Sequence, residues 1–272
     1  MHNIYIVMAI RAAIEAGKVI LPYYHQRNFD IETKSDASPV TAADRAADEI
    51  IREWLAESKL PILSEESEIV SHSERKEWKY FWCVDPLDGT KEFISGRKDF
   101  TVNIALMNEK SPIGGVIYLP AEDTIYYGLN GEGAFKTVSC LGKSTEEIIN
   151  QSVALPDSKT ARFTVVGSHS HFDIETQKHI DEISALYGEG KSQLLSRGSS
   201  VKFCLMAEGN ADYYPRKGTI MEWDMAAGHA ICEASGCRVS DWNGEPLKYN
   251  KPDLRMPAFK ISRLSRYAKR FP

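Results

Sequence analysis

Asp85-Pro86-Leu87-Asp88-Gly89-Thr90 is the stretch around which the rest of the chain is organised. It follows an apolar run, residues 80–84, that is typical of a buried strand. The chain then turns at Pro86 and again at Gly89, so two carboxylates and the Thr90 hydroxyl come close together at a strand end. Two acidic side chains this close repel each other unless a cation lies between them. Oxygen-only ligands favour a hard ion, Mg²⁺ first among them, while the alternative interpretation is a solvated surface turn.

Length and composition are those of an ordinary globular protein. The 272 residues, 43% hydrophobic and 26% charged, suffice for one large domain or two smaller ones. A net charge of −5 argues against a general nucleic-acid-binding protein, because such proteins are normally basic. An anionic small substrate is compatible with this charge, since metal ions supply positive charge locally.

The sequence carries no sign of export or of a membrane span. Residues 1–3 lack a basic start, and Arg11 and Glu15 interrupt the first apolar stretch. No apolar run is long enough to cross a bilayer. The five cysteines are an odd number without a Cys-x-x-Cys pair, which predicts reduced thiols. We therefore expect a cytoplasmic protein.

The first half of the chain, residues 1–155, is predicted to pack helices on an antiparallel sheet and to carry most of the metal ligands. Residues 4–24 have apolar positions at helical spacing, with Pro22 at the fraying end. Four short apolar segments between residues 101 and 138 are separated by tight turns and predict an antiparallel meander. Residues 69–78 are polar and are predicted to form an irregular loop.

Two further acids in this half have structural explanations as well as functional ones. Asp44 lies three residues after Thr41, which is the pattern of a helix cap with its capping acid, in a helix predicted to reach about Ser58. Glu65 follows a brief predicted strand beside Glu66, where adjacent acids are usually solvated. Because this strand shortly precedes the Asp85 strand, Glu65 is also placed to join the same site.

The second half, residues 156–272, is predicted to be a second α/β unit. The polar segment 139–157 is the predicted boundary, and strands and helices alternate after it. Ser199 opens a predicted helix, either as an anion-binding helix start or as an ordinary N-cap. Asp224 lies near the start of a helix of small residues, as a cap or as a ligand.

The C-terminal segment is basic. It contains five cationic residues, Lys260, Arg263, Arg266, Lys269 and Arg270. A solvated terminal face is the simpler interpretation, and weak peripheral attraction to an anionic membrane surface is the alternative.

These motifs together resemble the inositol monophosphatase superfamily of Mg²⁺-dependent, lithium-sensitive phosphatases. The motifs that carry the resemblance are Glu65-Glu66, Asp85-Pro86-Leu87-Asp88-Gly89-Thr90 and Trp223-Asp224-Met225-Ala226-Ala227-Gly228. Within the superfamily the chain is most similar to the bacterial 3′(2′),5′-bisphosphate nucleotidases, on three further stretches: Ser38-Pro39-Val40-Thr41-Ala42-Ala43-Asp44, Gly198-Ser199-Ser200-Val201-Lys202 and Tyr214-Pro215-Arg216. The resemblance covers nearly the whole chain and implies an α/β (α+β) fold, a layered α/β/α/β/α sandwich.

The resemblance also implies a set of metal ligands: Glu65, Asp85, the Leu87 carbonyl, Asp88 and Asp224. Glu65, Asp85 and Leu87 would hold one Mg²⁺, and Asp85 would be shared with a second Mg²⁺. A weaker third ion is implied near Asp44 and Glu65. Two metal ions suit phosphate ester hydrolysis, because an anionic nucleophile must approach an anionic centre.

Catalytic and substrate-binding residues follow from the same resemblance. Asp44 and Thr90 would orient and deprotonate the attacking water, and Glu65 would take part in catalysis through its metal. The implied substrate-binding residues are Glu65, Leu87, Asp88, Gly89, Thr90, Ser168, His171, Ser199, Lys202, Arg216 and Asp224.

The expected reaction is hydrolysis of adenosine 3′,5′-bisphosphate to AMP and phosphate, with 3′-phosphoadenylyl sulfate as a second substrate. Lys202 and Arg216 favour a substrate that carries a second phosphate. The alternative enzyme is a phosphatase for inositol phosphates or a sugar bisphosphate. The alternative outside enzymes is a nucleotide sensor on the same fold, which loss of a metal ligand or of Thr90 would indicate, and none of these residues is missing.

Overall fold

The computed structural model describes residues 2–26, 32–33, 39–168, 174–187 and 190–263. The helices in these ranges are α1 (His2–Gln26), α2 (Ala42–Leu55), α3 (His72–Arg75), α4 (Thr90–Ile94), α5 (Thr145–Asn150), α6 (Ile174–Tyr187), α7 (Val201–Glu208) and α8 (Glu222–Ala234). The strands are β1 (Glu32–Thr33), β2 (Pro39–Val40), β3 (Ile62–Ser64), β4 (Tyr80–Asp88), β5 (Thr101–Asn108), β6 (Ser111–Leu119), β7 (Thr124–Leu129), β8 (Gly133–Val138), β9 (Val153–Leu155), β10 (Phe163–Ser168), β11 (Ser192–Arg197), β12 (Tyr213–Arg216), β13 (Cys237–Asp241) and β14 (Phe259–Arg263).

The larger sheet has seven strands in the order β3-β4-β5-β6-β7-β8-β9. The β3–β4 pair is parallel and the following pairs are antiparallel. Strands β5 to β8 form the predicted meander. The smaller sheet has five strands in the order β11-β10-β12-β14-β13, and β10 runs parallel to both of its neighbours.

The two sheets and the helices packed on them form five layers. Helices α1 and α2 pack on one face of the larger sheet, and α8 packs on strands β4 to β8. Helix α7 contacts α8 on one side and the smaller sheet on the other, while α6 packs against β11 and β12. The smaller sheet separates two apolar clusters, with Val166 in the cluster that includes α7 and Val165 in the cluster that includes α6. This arrangement confirms the predicted α/β/α/β/α sandwich.

Strand β4 is buried on both faces, which explains its unbroken apolar run. Trp82 and Val84 pack in the cluster that includes α1 and α2, whereas Phe81 and Cys83 pack in the cluster that includes α7 and α8. Because side chains alternate along a strand, Asp85 continues the Phe81–Cys83 row and faces α8. The pattern of the core therefore directs this acid into the middle layer.

Helix α8 lies unusually close to the larger sheet. A Cβ atom placed on Gly115 of β6 would lie 2.3 Å from the Ala227 carbonyl oxygen. A Cβ atom placed on Gly228 would lie 2.2 Å from the Phe203 ring. The small residues of α8 are thus required for its packing, and this packing sets the position of Asp224 at the helix start.

Two local predictions were wrong, and tertiary contacts explain both. The predicted first helix is confirmed, but Pro22 lies inside it rather than at a fraying end, since the helix continues to Gln26 and Tyr24 donates a hydrogen bond to the Gly96 carbonyl at 3.0 Å. Residues 69–78 are not an irregular loop throughout, since α3 lies within them. The buried Arg75 guanidinium donates to the Asn250 side chain at 2.8 Å and thereby attaches this segment to the second half of the chain.

The segment 139–157, predicted as a boundary, contains α5 and β9. Strand β9 completes the larger sheet, so this segment belongs structurally to the first half. The division of the chain at residue 155 stays a prediction. All five cysteines are buried, and none of them forms a disulfide bond.

Candidate active site

The turn at the end of β4 contains an irregularity that the sequence did not predict. The strand continues to Asp88 rather than ending at Asp85, and its register against β5 shifts between these two residues. The Leu87 N–H donates to Asp85 Oδ1 at 3.1 Å across the shift. Gly89 follows with φ +89°, and a Cβ atom there would lie 2.7 Å from the Asp99 carbonyl oxygen. The turn therefore requires glycine at this position.

Three carboxylates from different elements meet beside this turn. Oxygen atoms of Glu65, just after β3, Asp85 on β4 and Asp224 on α8 lie within 4.8 Å of one another. Removal from water raises the pKa of Asp85 well above its usual range, and the charges of Glu65, Asp88 and Asp224 raise it further. The pKa of Asp224 is raised to about 8, again first by removal from water and then by Asp88 and Glu65. The cluster is thus a concentration of negative charge that a cation would stabilise.

Asp44 is both a helix cap and a neighbour of the site. Its Oδ2 accepts hydrogen bonds from the Thr41 N–H at 2.8 Å and the Thr41 hydroxyl at 2.6 Å, as predicted for a capping box. Its Oδ1 lies 3.4 Å from the Thr90 Oγ1, which is also 3.4 Å from the Leu87 carbonyl oxygen. The two interpretations of Asp44 are therefore compatible, since each uses a different oxygen.

A cavity of about 240 Å³ opens onto the acidic cluster. Nine of the predicted site residues line it: Glu65, Asp88, Gly89, Thr90, Ser168, Ser199, Lys202, Arg216 and Asp224. Asp85 adjoins the cavity through the cluster, and Asp44 and Leu87 adjoin it through Thr90. His171 lies outside the described residues.

The cationic side chains of Lys202 and Arg216 form a basic wall of the same cavity. Lys202 is 3% exposed, and its ammonium donates to the Ser199 carbonyl at 2.5 Å and to the Arg197 carbonyl at 3.4 Å. Burial, and next the charge of Arg216, lowers the pKa of Lys202 to about 8. Arg216 donates through Nε to the Gly218 carbonyl at 3.2 Å. Lys202 and Arg216 thus share one cavity with the carboxylates.

The chain is similar to proteins of known family. A model of the inositol monophosphatase family matches residues 3–269. The chain belongs to the inositol monophosphatase family. Among curated relatives, the 3′(2′),5′-bisphosphate nucleotidase CysQ of Escherichia coli strain K12 is 40% identical over 255 residues, which are 92% of this chain and 96% of the relative. The protein of the same name from Haemophilus influenzae is 33% identical over 243 residues, which are 88% of this chain and 85% of the relative.

Solved structures of the inositol monophosphatase family agree with this assignment. CysQ from Bacteroides thetaiotaomicron, a bacterial member of the family, superposes with a TM-score of 0.85 at 41% identity, covering 95% of this chain and 97% of that chain. An inositol monophosphatase from Zymomonas mobilis superposes with a TM-score of 0.72 at 24% identity over 96% of this chain and 93% of that one, which shows the shared fold alone. The resemblance inferred from the motifs is therefore confirmed at the level of family and fold.

The acidic cluster fits the metal ions that the inositol monophosphatase family uses. Its donors are carboxylate oxygens, which suit hard divalent cations. The pKa values of Asp85 and Asp224 are raised first by burial and then by the neighbouring carboxylates, and a bound cation would stabilise the charged form of both. Asp88 is not a member of the three-carboxylate cluster, although it lines the same cavity.

Ser199 and Ser200 make contacts that the sequence did not predict. Their hydroxyls lie 2.6 Å and 2.8 Å from Asp88 Oδ2. Ser200 occupies the cap position of α7 without making a side-chain capping bond, so an ordinary Ser cap at this helix was a wrong alternative. Sequence reasoning could not have found these contacts, because Asp88 is 111 and 112 residues away along the chain. Anion binding at this helix start stays a prediction.

Sequence reasoning also missed other residues of the cavity wall. Lys91, Thr219 and Ile220 line it, although they were not predicted as site residues. Lys91 directly follows Thr90 and could have been found from that position alone. Thr219 and Ile220 lie in an irregular segment after β12, where the sequence gives no periodic pattern that indicates which side chains face the cavity.

The basic C-terminal segment is only partly described. Arg263 is half-buried, and its guanidinium donates to the Ala207 carbonyl at 3.0 Å, so this residue does not belong to a solvated face. Arg266, Lys269 and Arg270 lie outside the described residues. In the described part of the chain, no helix combines the length and the apolar character that crossing a membrane requires.

Proposed function

We propose that this chain hydrolyses the 3′-phosphate of adenosine 3′,5′-bisphosphate to AMP and phosphate, using bound Mg²⁺. The observation that carries the proposal is the single cavity that joins an acidic cluster to two cationic side chains, Lys202 and Arg216. A substrate with two phosphates matches this division, because one phosphate is cleaved at the acidic wall while the other is bound at the basic wall. The reaction class is that of the curated relatives, which are 3′(2′),5′-bisphosphate nucleotidases and therefore phosphatases.

The proposed metal ligands are the carboxylates of the cluster and its neighbours. Glu65, Asp85 and the Leu87 carbonyl would hold one Mg²⁺, and Asp85, Asp88 and Asp224 would hold the second. When bound, such ions neutralise the phosphate and the leaving oxygen and lower the pKa of the attacking water. A divalent ion also removes the need for Asp85 and Asp224 to carry protons, which their raised pKa values would otherwise favour.

Thr90 and Asp44 would position the attacking water. The Thr90 hydroxyl lies 3.4 Å from Asp44 Oδ1 and lines the cavity, so it would donate its proton to Asp44 while accepting one from a water. A water donating to the Thr90 oxygen could pass its proton along this pair as it attacks phosphorus. The distance of 3.4 Å is long for a hydrogen bond between oxygens, and such catalytic contacts commonly shorten once substrate is bound. The capping bonds of Thr41 hold the acceptor in place during this transfer.

Lys202 and Arg216 would select the second phosphate. In the described part of the chain, the Lys202 ammonium donates to two carbonyl groups, which leaves the third of its N–H bonds for a ligand in the cavity. A bound phosphate would also offset the charge of Arg216, which lowers the Lys202 pKa. A simple monophosphate has no second phosphate for Lys202 and Arg216 to bind.

The composition of the chain and the state of its cysteines support a proposal for the cellular compartment and the partners. Five buried cysteines without disulfides are compatible with a reducing, cytoplasmic compartment. The net charge of −5 argues against a nucleic-acid partner, because proteins that bind nucleic acids are normally basic. Weak membrane contact by the basic segment stays a prediction, because most of that segment lies outside the described residues.

A phosphate-release panel with Mg²⁺ tests the proposal. It compares adenosine 3′,5′-bisphosphate, 3′-phosphoadenylyl sulfate, inositol 1-phosphate, inositol 1,4-bisphosphate and fructose 1,6-bisphosphate. We expect kcat/KM for adenosine 3′,5′-bisphosphate to exceed that for inositol 1-phosphate by at least about 100-fold, the usual worth of a lost charged contact. A preference for an inositol phosphate or for the sugar bisphosphate would contradict the proposal.

A further inference from the structure

We propose that Asn103 is a positioning residue for Asp88 and that it acts through the Ser200 hydroxyl. The inference rests on the proposed function, in which Asp88 is a metal ligand. Asn103 lies on β5 directly opposite Asp85 in the register of the larger sheet, and it is 1% exposed. A buried amide beside an acidic cluster requires partners for both of its ends, and these partners determine its orientation.

Both ends of the Asn103 amide are hydrogen-bonded. Its Oδ1 accepts a hydrogen bond from the Thr101 hydroxyl at 3.0 Å. Its Nδ2 donates to Ser200 Oγ at 2.9 Å and lies 3.5 Å from Asp88 Oδ2. The reversed amide would direct its oxygen at the Asp88 carboxylate, which is electrostatically unfavourable. Because the Thr101 hydroxyl can donate or accept, the Asp88 carboxylate decides the orientation, with the N–H group toward Ser200.

This orientation decides where the Ser200 proton points. A serine hydroxyl has one proton, and the N–H of Asn103 occupies a lone pair of the Ser200 oxygen. The proton is then directed at one of two acceptors, Asp88 Oδ2 at 2.8 Å or the Asp224 carbonyl oxygen at 3.2 Å. The shorter contact also has a carboxylate acceptor, so it is the stronger. By occupying one lone pair, the Asn103 N–H restricts the Ser200 proton to these two acceptors, of which Asp88 is the preferred one.

The result is an asymmetric Asp88 carboxylate. In the described part of the chain, the short hydrogen bonds that reach this carboxylate, from Ser199 and Ser200, both go to Oδ2, and the longer 3.5 Å approach of Asn103 is to the same oxygen. Oδ1 is left to face a cation in the cavity. A ligand whose second oxygen is held by hydrogen bonds presents the first in a fixed direction, and such supporting bonds typically change metal affinity by about 10–100-fold.

The loop that carries Ser200 is held independently of Asn103. Asp99 accepts a hydrogen bond from the Gly198 N–H at 2.8 Å and pairs with the Arg197 guanidinium, also at 2.8 Å. Because these contacts anchor the loop, replacing Asn103 should free the Ser200 hydroxyl to rotate rather than move the loop. This separation makes a test by substitution informative.

The experiment measures the Mg²⁺ concentration that gives half of the maximal rise in Tm, for the wild type, Asn103→Leu, Ser200→Ala and the double variant. Leucine has nearly the shape of asparagine without its polar atoms. We expect each single variant to raise this Mg²⁺ midpoint by about tenfold. The double variant should match Ser200→Ala alone, because Asn103 acts through Ser200. Saturating Mg²⁺ should largely restore kcat in Asn103→Leu.

Thr137→Val is the matched control. Thr137 is a buried residue of the same sheet, on β8, and its hydroxyl donates to the Ile148 carbonyl at 2.9 Å, away from the cavity. This variant should lower Tm without moving the Mg²⁺ midpoint. If Asn103→Leu does not fold, Asn103→Ala takes its place with the same expected midpoint.

Two results would overturn the inference: a midpoint for the Asn103 variant within about twofold of the wild type, or losses that multiply in the double variant. A wild type whose Tm does not respond to Mg²⁺ would instead overturn the proposed metal site, and the inference with it. The two failures are therefore distinguishable from the wild-type measurement alone.

Discussion

At the scale of single residues, the acids of this site divide their two oxygens between the fold and the chemistry. Asp44 uses Oδ2 to cap α2 and turns Oδ1 toward Thr90. Asp224 accepts the Met221 N–H through Oδ2 at the start of α8 while joining the acidic cluster. Each helix start fixes its acid in place, so a capping pattern in a sequence does not argue against a functional role for the same residue.

The proposed water site gives a first prediction at this scale. Thr90→Ala and Asp44→Asn should each lower kcat by roughly 10²–10⁴, the usual worth of a positioned proton acceptor. Because the two residues form one relay, the double variant should lose much less than the product of the single losses. Thr90→Ser keeps the hydroxyl and should retain most of the activity. Steady-state kinetics with full multiplication of the two losses would refute a shared role.

The basic wall gives a second prediction. Lys202→Met fills the same buried space without the charge, and Arg216→Ala removes the guanidinium. Each should raise KM for adenosine 3′,5′-bisphosphate by roughly 10–100-fold, since a charge-assisted bond to phosphate is lost. Hydrolysis of a small monophosphate should barely change, and the exposed control Lys248→Ala should affect neither substrate. Equal effects on both substrates would remove the two residues from the specificity site.

At the scale of elements, the backbone of α8 packs directly against the backbone of β6 at Gly115, and this close packing positions Asp224. Gly115→Ala would place a methyl group against the Ala227 carbonyl, and backbone on both sides leaves little room to adjust. We expect a loss of roughly 1–3 kcal/mol in the free energy of unfolding and lower activity at subsaturating Mg²⁺. Denaturant unfolding and kinetics check both effects.

Gly167→Ala serves as the control for that substitution. Its added methyl group would meet the end of the Leu194 side chain at 3.3 Å, which can move aside. This variant should therefore be much less destabilised than Gly115→Ala. Equal stability of the two variants would contradict the packing argument.

Elements whose cause is local could be predicted from the sequence. The capping box of Thr41 and Asp44 predicted α2, and the apolar run before Asp85 predicted β4. Features with long-range causes could not. Helix α3 depends on Arg75, whose partner Asn250 is 175 residues away.

The candidate site shows the same division. Its acids could be predicted, because they stand in recognisable motifs at the ends of predicted strands and helices. The role of Ser200 and Asn103 could not, because it depends on contacts between distant strands and helices.

At the scale of the whole molecule, the site lies where the two halves of the chain meet, and its metal-free form is electrostatically unfavourable. The pKa of Asp85 is raised and that of Asp224 is about 8, whereas an unfolded chain has aspartate pKa values near about 3.9. Between about pH 4 and pH 8 these two carboxyl groups therefore bind more protons in the folded, metal-free protein than in the unfolded chain. Their contribution to the free energy of unfolding should fall as the pH rises through this window.

This gives a prediction that a comparison of two proteins can check. Asp85→Asn removes one of the repelling charges, so in EDTA the wild type should lose stability relative to this variant as the pH rises from 5 to 8. Groups that titrate elsewhere in the chain are common to both proteins and cancel in the difference. Added Mg²⁺ should raise the Tm of the wild type more at pH 8 than at pH 5. A wild type that gains stability relative to Asp85→Asn over this range would contradict the account.

The central claim is that the acids at the end of β4 form a metal site that cleaves a nucleotide bisphosphate. Phosphate release from adenosine 3′,5′-bisphosphate in Mg²⁺, measured for the wild type, Asp85→Asn and the exposed control Asp181→Asn, tests it most directly. We predict activity in the wild type and the control that is abolished by EDTA, and a loss of at least about 10³-fold in Asp85→Asn with the fold retained. Near-normal turnover by Asp85→Asn, or by the wild type in EDTA, would contradict the claim.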